Sequence, residues 1–322
     1  MNQIMISKKN LMKDAKTNHY KPEILEKVYQ LLSVLNDLVS NPYLREKIVL
    51  KGGTALNLFY FDKIPRMSVD IDLNYIGQLD RNSMLEERPV LTDAINKIFL
   101  QKQFELDRNP NRHAGSKMIW RYGSILGQKG NLEVDLNYMY REPLWPILWL
   151  LPKLNYSGAV EIPVLDIHEL AAGKLSALFS RNVSRDLFDA HHLLVNSKLN
   201  AQKLRLSFVI YLSMTEIKLS NLNKDYLDYD LTDIRNKLLP VLHQENLPRK
   251  PSDIKKWAIT ILKELQESLH QLLPLKNSEI DFIMQVRDGN IRPELITNDK
   301  KLTEVIKTHP AISWIAQKNK TA

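Results

Sequence analysis

A chain of 322 residues that is 44% hydrophobic and 25% charged can bury one large core or two compact ones without covalent staples. It contains no cysteine, which excludes disulfides, zinc–thiolate centres and thiol nucleophiles. The formal net charge of +8, from 45 Lys and Arg against 37 Asp and Glu, favours an acidic partner such as nucleic acid. Residues 1–18 are polar and basic rather than a leader pattern. The longest apolar run, 145–151, contains Pro146 and is too short to span a bilayer. The expectation is therefore a protein of the reducing cytoplasm that does not enter a membrane.

Residues 20–46 read as a helix, with Pro22 near its start and Leu25, Val28, Leu31, Leu32, Leu35 and Leu38 at three-and-four spacing. A core sheet is expected from 47 to 165. Its first strand, Ile48-Val49-Leu50, is broken by Gly52-Gly53. Thr54 reads as the N-cap of a helix that buries Ala55, Leu56, Leu58, Phe59 and Phe61. Glycines let backbone approach a ligand closely, and a helix start offers free N–H groups and a positive dipole end. Lys51, Gly52, Gly53 and Thr54 are thus candidates for holding phosphate. The spacing is not that of a P-loop.

The next strand contains Ser68-Val69-Asp70-Ile71-Asp72-Leu73. Alternation places Asp70 and Asp72 on one face, roughly 6.5–7 Å apart along the backbone, with Val69, Ile71 and Leu73 on the core face. Two such carboxylates can share one divalent ion or a pair of ions; the plainer alternative is a solvated strand face. Arg66 and Ser68 fall on the same side and could contact phosphate or the aspartates. Residues 92–100 look helical and 117–124 extended. Asn131 to Tyr138 alternates again, with Glu133, Asp135 and Asn137 on one face and Asp135 a third candidate carboxylate.

After the extended segment 162–165, Asp166 caps a helix running through Arg181. Lys174 and Arg181 are seven apart and share a face, suited to polyphosphate or to plain solvation. A second helix over 184–194 carries Asp186 and Asp189 one turn apart, which could be dipole capping or support for Lys174. His191 and His192 are adjacent, so they point apart and cannot chelate one ion together. Helices follow over 206–214, 227–242, 254–272 and 278–288. Segment 248–251 is the clearest loop.

Lys-Gly-Gly-Thr, Asp-x-Asp and a later strand carboxylate, in that order, resemble the nucleotidyltransferase superfamily. Lys51-Gly-Gly-Thr-Ala-Leu, Arg66-x-Ser-x-Asp-Ile-Asp-Leu and Lys174-x-x-Ala-x-x-x-Arg181-x-x-x-Arg185-Asp186-Leu-Phe-Asp189 are more specific. With Ile291-Arg-Pro-Glu-Leu295 and His309-Pro-Ala-Ile-Ser-Trp314, they resemble the AbiEii family of toxin-type nucleotidyltransferases from Lys51 to Trp314. The resemblance implies an α+β fold: a mixed sheet flanked by helices, then a mainly helical C-terminal region, divided as 1–195 and 196–322. It implies nucleotide transfer from a nucleoside triphosphate to the 3′ end of tRNA, and a cognate antitoxin encoded nearby. Asp70, Asp72 and Asp135 would hold Mg2+ or Mn2+. Lys51, Gly52, Gly53, Thr54, Arg66, Ser68, Lys174 and Arg181 would bind the nucleotide, and Lys174 and Asp186 would join the three aspartates as catalytic residues. The alternatives are transfer to a small molecule or a protein, a non-catalytic binding module of the same fold, and a nuclease using the same carboxylates. Net basicity weighs against the first, the intact aspartate set against the second, and the Gly-Gly-Thr turn with Lys174 against the third.

Overall fold

The computed structural model describes residues 6–108, 111–112 and 115–318. The chain divides into two compact units, Met1–Leu165 with Val241–Asn246, and Asp166–Pro240 with Leu247–Ala322.

The first unit opens with helices α1 (Lys8–Thr17), α2 (Pro22–Ser40) and the short α3 (Pro42–Arg45). Proline takes the first position of α2, where its missing N–H costs nothing. The sequence reading carried this helix to 46, but Asn41 precedes Pro42 and leaves the helical region. Its side chain instead accepts N–H bonds from Tyr43 and Leu44 to start α3. Leu25, Val28, Leu31, Leu32, Leu35 and Leu38 are fully buried on α2, each contributing roughly 1.5–3 kcal/mol of transfer free energy. This stripe packs toward β6 and β8 of the sheet.

The strands are β1 (Ile48–Lys51), β2 (Asp70–Tyr75), β3 (Glu105–Arg108), β4 (Asn111–Arg112), β5 (Gly115–Gly123), β6 (Lys129–Asn137), β7 (Leu148–Leu150) and β8 (Ile162–Val164). They form one mixed sheet in the order β3-β5-β6-β2-β1-β8-β7, with β4 paired to β5. β2 runs antiparallel to β1 and parallel to β6. Between β1 and β2 lies a four-residue helix, α4 (Gly52–Ala55), which widens into a π-turn over Leu56–Tyr60. α5 (Arg81–Gln101) is longer than the expected 92–100, since Asp80 caps it well before Pro89.

The second unit is helical: α6 (Ile167–Arg181), α7 (Ser184–Asn196), α8 (Ala201–Ser213), α9 (Leu231–Asp233), α10 (Ile254–Ser268), α11 (Asn277–Arg287), α12 (Lys300–Thr308) and α13 (Pro310–Lys318). The helix expected over 227–242 is broken. α9 passes into a π-turn at Ile234–Leu238 and a 3-10 turn at Leu239–Val241 that contains Pro240. The strap Val241–Asn246 then belongs to the first unit. α6 packs on α7 and α8, and α7 on α10, so the contacts break at Leu165 rather than at the expected 195/196. No helix among the described residues is long and apolar enough to cross a membrane.

Candidate functional site

The turn after β1 is built for close approach. Gly52 has φ +72°, a region that L side chains avoid, and a Cβ there would overlap the Asp72 carboxylate. A Cβ on Gly53 would meet Arg66 Nη2 and Ser68 Oγ at 2.9 Å each. Only glycine lets the chain leave β1 and pass this close to β2. The first-turn N–H groups of α4 lack intrahelical acceptors, as at any helix start. Thr54 is not the N-cap. Lys51 holds that position in extended conformation, and the helix starts at Gly52. Fully buried Thr54 turns its hydroxyl inward to donate to the Asp70 carbonyl at 2.5 Å, tying α4 to the first residue of β2.

Strand register then sets out the charged face. Lys51 pairs with Asp72, Asp72 with Asp135, and Asp135 with Lys117, giving one row across β1, β2, β6 and β5. Asp70 pairs with Glu133 in the adjacent row of the same face. The opposite face buries Ile71, Leu73, Leu132, Val134 and Leu136. Four half-exposed carboxylates thus face Lys51 and Lys117. Lys117 Nζ pairs with Glu133 at 2.6 Å, and this pair holds the Lys117 ammonium above its ordinary range, helped by Asp70 and Asp135. Burial pushes the Asp135 carboxyl above the usual carboxylate range; Lys51 opposes this and Asp72 adds to it.

Arg66 and Ser68 precede β2, which begins at Asp70, and both are buried. Arg66 is 2% exposed and donates from Nη1 to the Met67 carbonyl at 3.0 Å; Ser68 is 5% exposed. Arg66 also bridges to Leu242, and the Met67 N–H donates to the Val241 carbonyl at 2.7 Å. The strap therefore holds the segment that leads into Asp70.

Within the second unit, Lys174 on α6 pairs with two aspartates of α7, Asp186 at 3.0 Å and Asp189 at 2.9 Å. Arg181 Nε donates to the other Asp186 oxygen at 2.7 Å. Both aspartates are almost wholly buried while Arg181 is exposed. Burial raises the Asp186 carboxyl, but Lys174 and Arg181 outweigh it and hold the group below its ordinary range. The seven-residue spacing of Lys174 and Arg181 brings both to the Asp186 carboxylate, and Asp189 shares the ammonium with Asp186. His191 is bound to Glu264 at 2.6 Å, in keeping with a packing role.

Two residues of the charged face had no assigned role. Glu133 was visible as a face-mate of Asp135, and Lys117 stands out once Ser116, Met118, Trp120 and Tyr122 are seen buried on the other side of β5. The pairing of Lys117 with Asp135 depends on register, which the local sequence of β5 does not contain. As a donor set, Asp70, Asp72, Asp135 and Glu133 offer only carboxylate oxygens, the chemistry of a hard cation such as Mg2+ or Mn2+. Among the described residues no three acidic, His or Cys side chains are drawn together as a ready-made metal cage. The residues fit such an ion by chemistry and by shared face.

The model of a family described as "Nucleotidyl transferase AbiEii toxin, Type IV TA system" matches residues 33–287. Among solved structures, MenT4, a nucleotidyltransferase toxin from Mycobacterium tuberculosis H37Rv, is similar with a TM-score of 0.63 at 15% identity. The likeness covers 96% of this chain and 99% of that one, and at this identity it speaks to the fold alone. No curated protein sequence matches the chain.

Proposed function

Because the chain belongs to the AbiEii family of nucleotidyltransferase toxins of type IV toxin–antitoxin systems, we propose that it moves a nucleotide from a nucleoside triphosphate to the 3′ end of tRNA. The acceptor hydroxyl attacks the α-phosphate in line, the bond to the bridging oxygen breaks, and pyrophosphate leaves. Family membership implies a cognate antitoxin.

One observation carries this reading: Asp72 and Asp135 stand in register on adjacent strands, and Gly52 passes against Asp72 where no side chain would fit. A helix-start N–H cradle beside a carboxylate row suits a triphosphate better than a lone phosphodiester. Asp70, Asp72 and Asp135 would hold Mg2+ or Mn2+, which when bound offsets phosphate charge and makes a hydroxyl a better nucleophile. The backbone N–H groups of Gly52, Gly53 and Thr54 bind phosphate oxygens, and Lys51 adds a cation at the end of the row. Arg66 Nη2 and Ser68 Oγ lie against the Gly53 turn and would add to the phosphate contacts there. Within the second unit, Lys174 and Arg181 are further cationic groups, with Asp186 holding Lys174 in place. The work is positioning and electrostatics, as in other phosphoryl-type transfers.

The test is incubation of the protein with total tRNA, Mg2+ and each α-labelled nucleoside triphosphate in turn, beside an Asp70→Ala/Asp72→Ala control. Label entering tRNA from one nucleotide and lost in the control is the expected result. Absence of label with every nucleotide overturns the tRNA assignment.

A further inference from the structure

The helix α1 precedes residues 33–287, which the family model matches, and none of its residues enters the site described above. In its ten residues it carries Lys8, Lys9, Lys13 and Lys16, all exposed, against a single acid, Asp14. Asp14 is turned away from them, with Tyr29 donating to its Oδ2 at 3.2 Å. Among the described residues none of the four lysines forms a salt bridge. Buried Leu11 and Ala15 seat the helix, and Ser7 caps it by accepting from the Asn10 N–H at 3.2 Å.

This arrangement works against the helix. Lys8 and Lys9 stand at the positive end of the helix dipole with no acid in the first turn. Lys9 and Lys13 are i,i+4 and Lys13 and Lys16 are i,i+3, so like charges stack along one face. A local rule broken without local compensation marks a functional surface. The stripe is also held close in the chain to the charged face: just past α1, Tyr20 donates to the Ile64 carbonyl at 2.6 Å. Beside it, His19 Nδ1 meets Gln244 of the strap at 3.1 Å. Ile64 belongs to the segment that leads through Arg66 into Asp70.

We propose that α1 is a docking surface for the phosphate backbone of the polynucleotide acceptor, an inference that rests on the tRNA reading above. The lysines spread along a helix about 15 Å long, a run of point charges suited to successive phosphates and indifferent to base sequence. A membrane surface is the poorer fit, because an interfacial helix exposes an apolar face, whereas α1 buries its own and leaves only Met12 outside. An acidic protein is poorer too, since lysine is depleted at protein interfaces and α1 has no aromatic residue.

The test measures binding of the full-length protein to total tRNA over a range of salt. The wild type is compared with a variant combining Lys8→Gln, Lys9→Gln, Lys13→Gln and Lys16→Gln, and with one carrying arginine at the same four positions. The glutamine variant should bind more than about tenfold more weakly near 0.1 M salt. Its slope of log K against log salt should be shallower by about 3. The arginine variant should keep both. Wild-type affinity and slope in the glutamine variant overturn the α1 assignment and leave the tRNA reading standing. A wild type that binds no tRNA overturns both. Loss in the glutamine variant of binding to phosphatidylcholine–phosphatidylserine vesicles, without loss of tRNA binding, overturns the assignment by giving the stripe to a lipid surface.

Discussion

Each unit holds a cluster of ionised side chains, and the two clusters are opposite in kind. Around Lys174 the charges balance: the ammonium lies between two buried aspartates, and Arg181 covers the remaining Asp186 oxygen. Along β2 and β6, Asp70, Asp72, Asp135 and Glu133 share one face with Lys51 and Lys117, and burial pushes the Asp135 carboxyl up rather than down. A balanced cluster stabilises the fold that contains it. A row of carboxylates on one strand face, with one of them pushed up by burial, is held in place by the fold and offers oxygens to a cation. The pKa directions of the two aspartates, Asp135 and Asp186, express that difference.

Changing either cluster should therefore have opposite consequences. Asp72→Asn is expected to lower nucleotide incorporation by about a thousandfold or more without lowering the melting temperature. Incorporation and thermal unfolding measured on one preparation check this pair of outcomes. Asp186→Asn leaves a buried ammonium short of a partner and is expected to destabilise by about 3–5 kcal/mol, read by denaturant unfolding. Since Asp186 is held below its ordinary range, its contribution is complete above the unfolded value of about 4 and is lost as pH falls through the folded one. The gap between variant and wild type should thus narrow in acid.

Asp135→Asn should do the reverse. A carboxyl raised by folding contributes stability only below the unfolded value near 4 and loses it as pH rises. The variant should then melt above the wild type at neutral pH, and the difference should vanish in acid; thermal scans from pH 4 to 8 decide it. Lys117→Gln carries the smallest effect on stability, within about 1 kcal/mol, because its pair with Glu133 is half-exposed. A much larger loss in unfolding experiments would give Lys117 a structural role like that of Lys174.

Much of this was legible in the sequence, and the reasons differ by element. The Gly52-Gly53 break, the period-two alternation around Asp70 and Asp135, and the Lys174–Arg181 spacing are local signals, and the structure realises each of them. What escaped depends on contacts distant in the chain. Thr54 looks like an N-cap until the Asp70 carbonyl is placed beside it. Arg66 looks like an outward-facing strand residue until Val241 and Leu242 return from far along the chain to bury its segment. Lys117 gains meaning only through its register with Asp135. The boundary at Leu165 lay hidden because α6 and α7 follow the sheet in sequence while packing on α8 and α10.

The most direct measurement is thermal unfolding of the wild type and of Asp72→Asn, each with Mg2+ and each nucleoside triphosphate in turn. A ligand that binds only the folded state at a hundred times its Kd adds about 2.7 kcal/mol. A rise in melting temperature for the wild type with Mg2+ and at least one nucleotide, absent in Asp72→Asn, is the predicted result. Equal shifts in both proteins, or none in the wild type with any nucleotide, would contradict the claim that the carboxylate row is a ligand site.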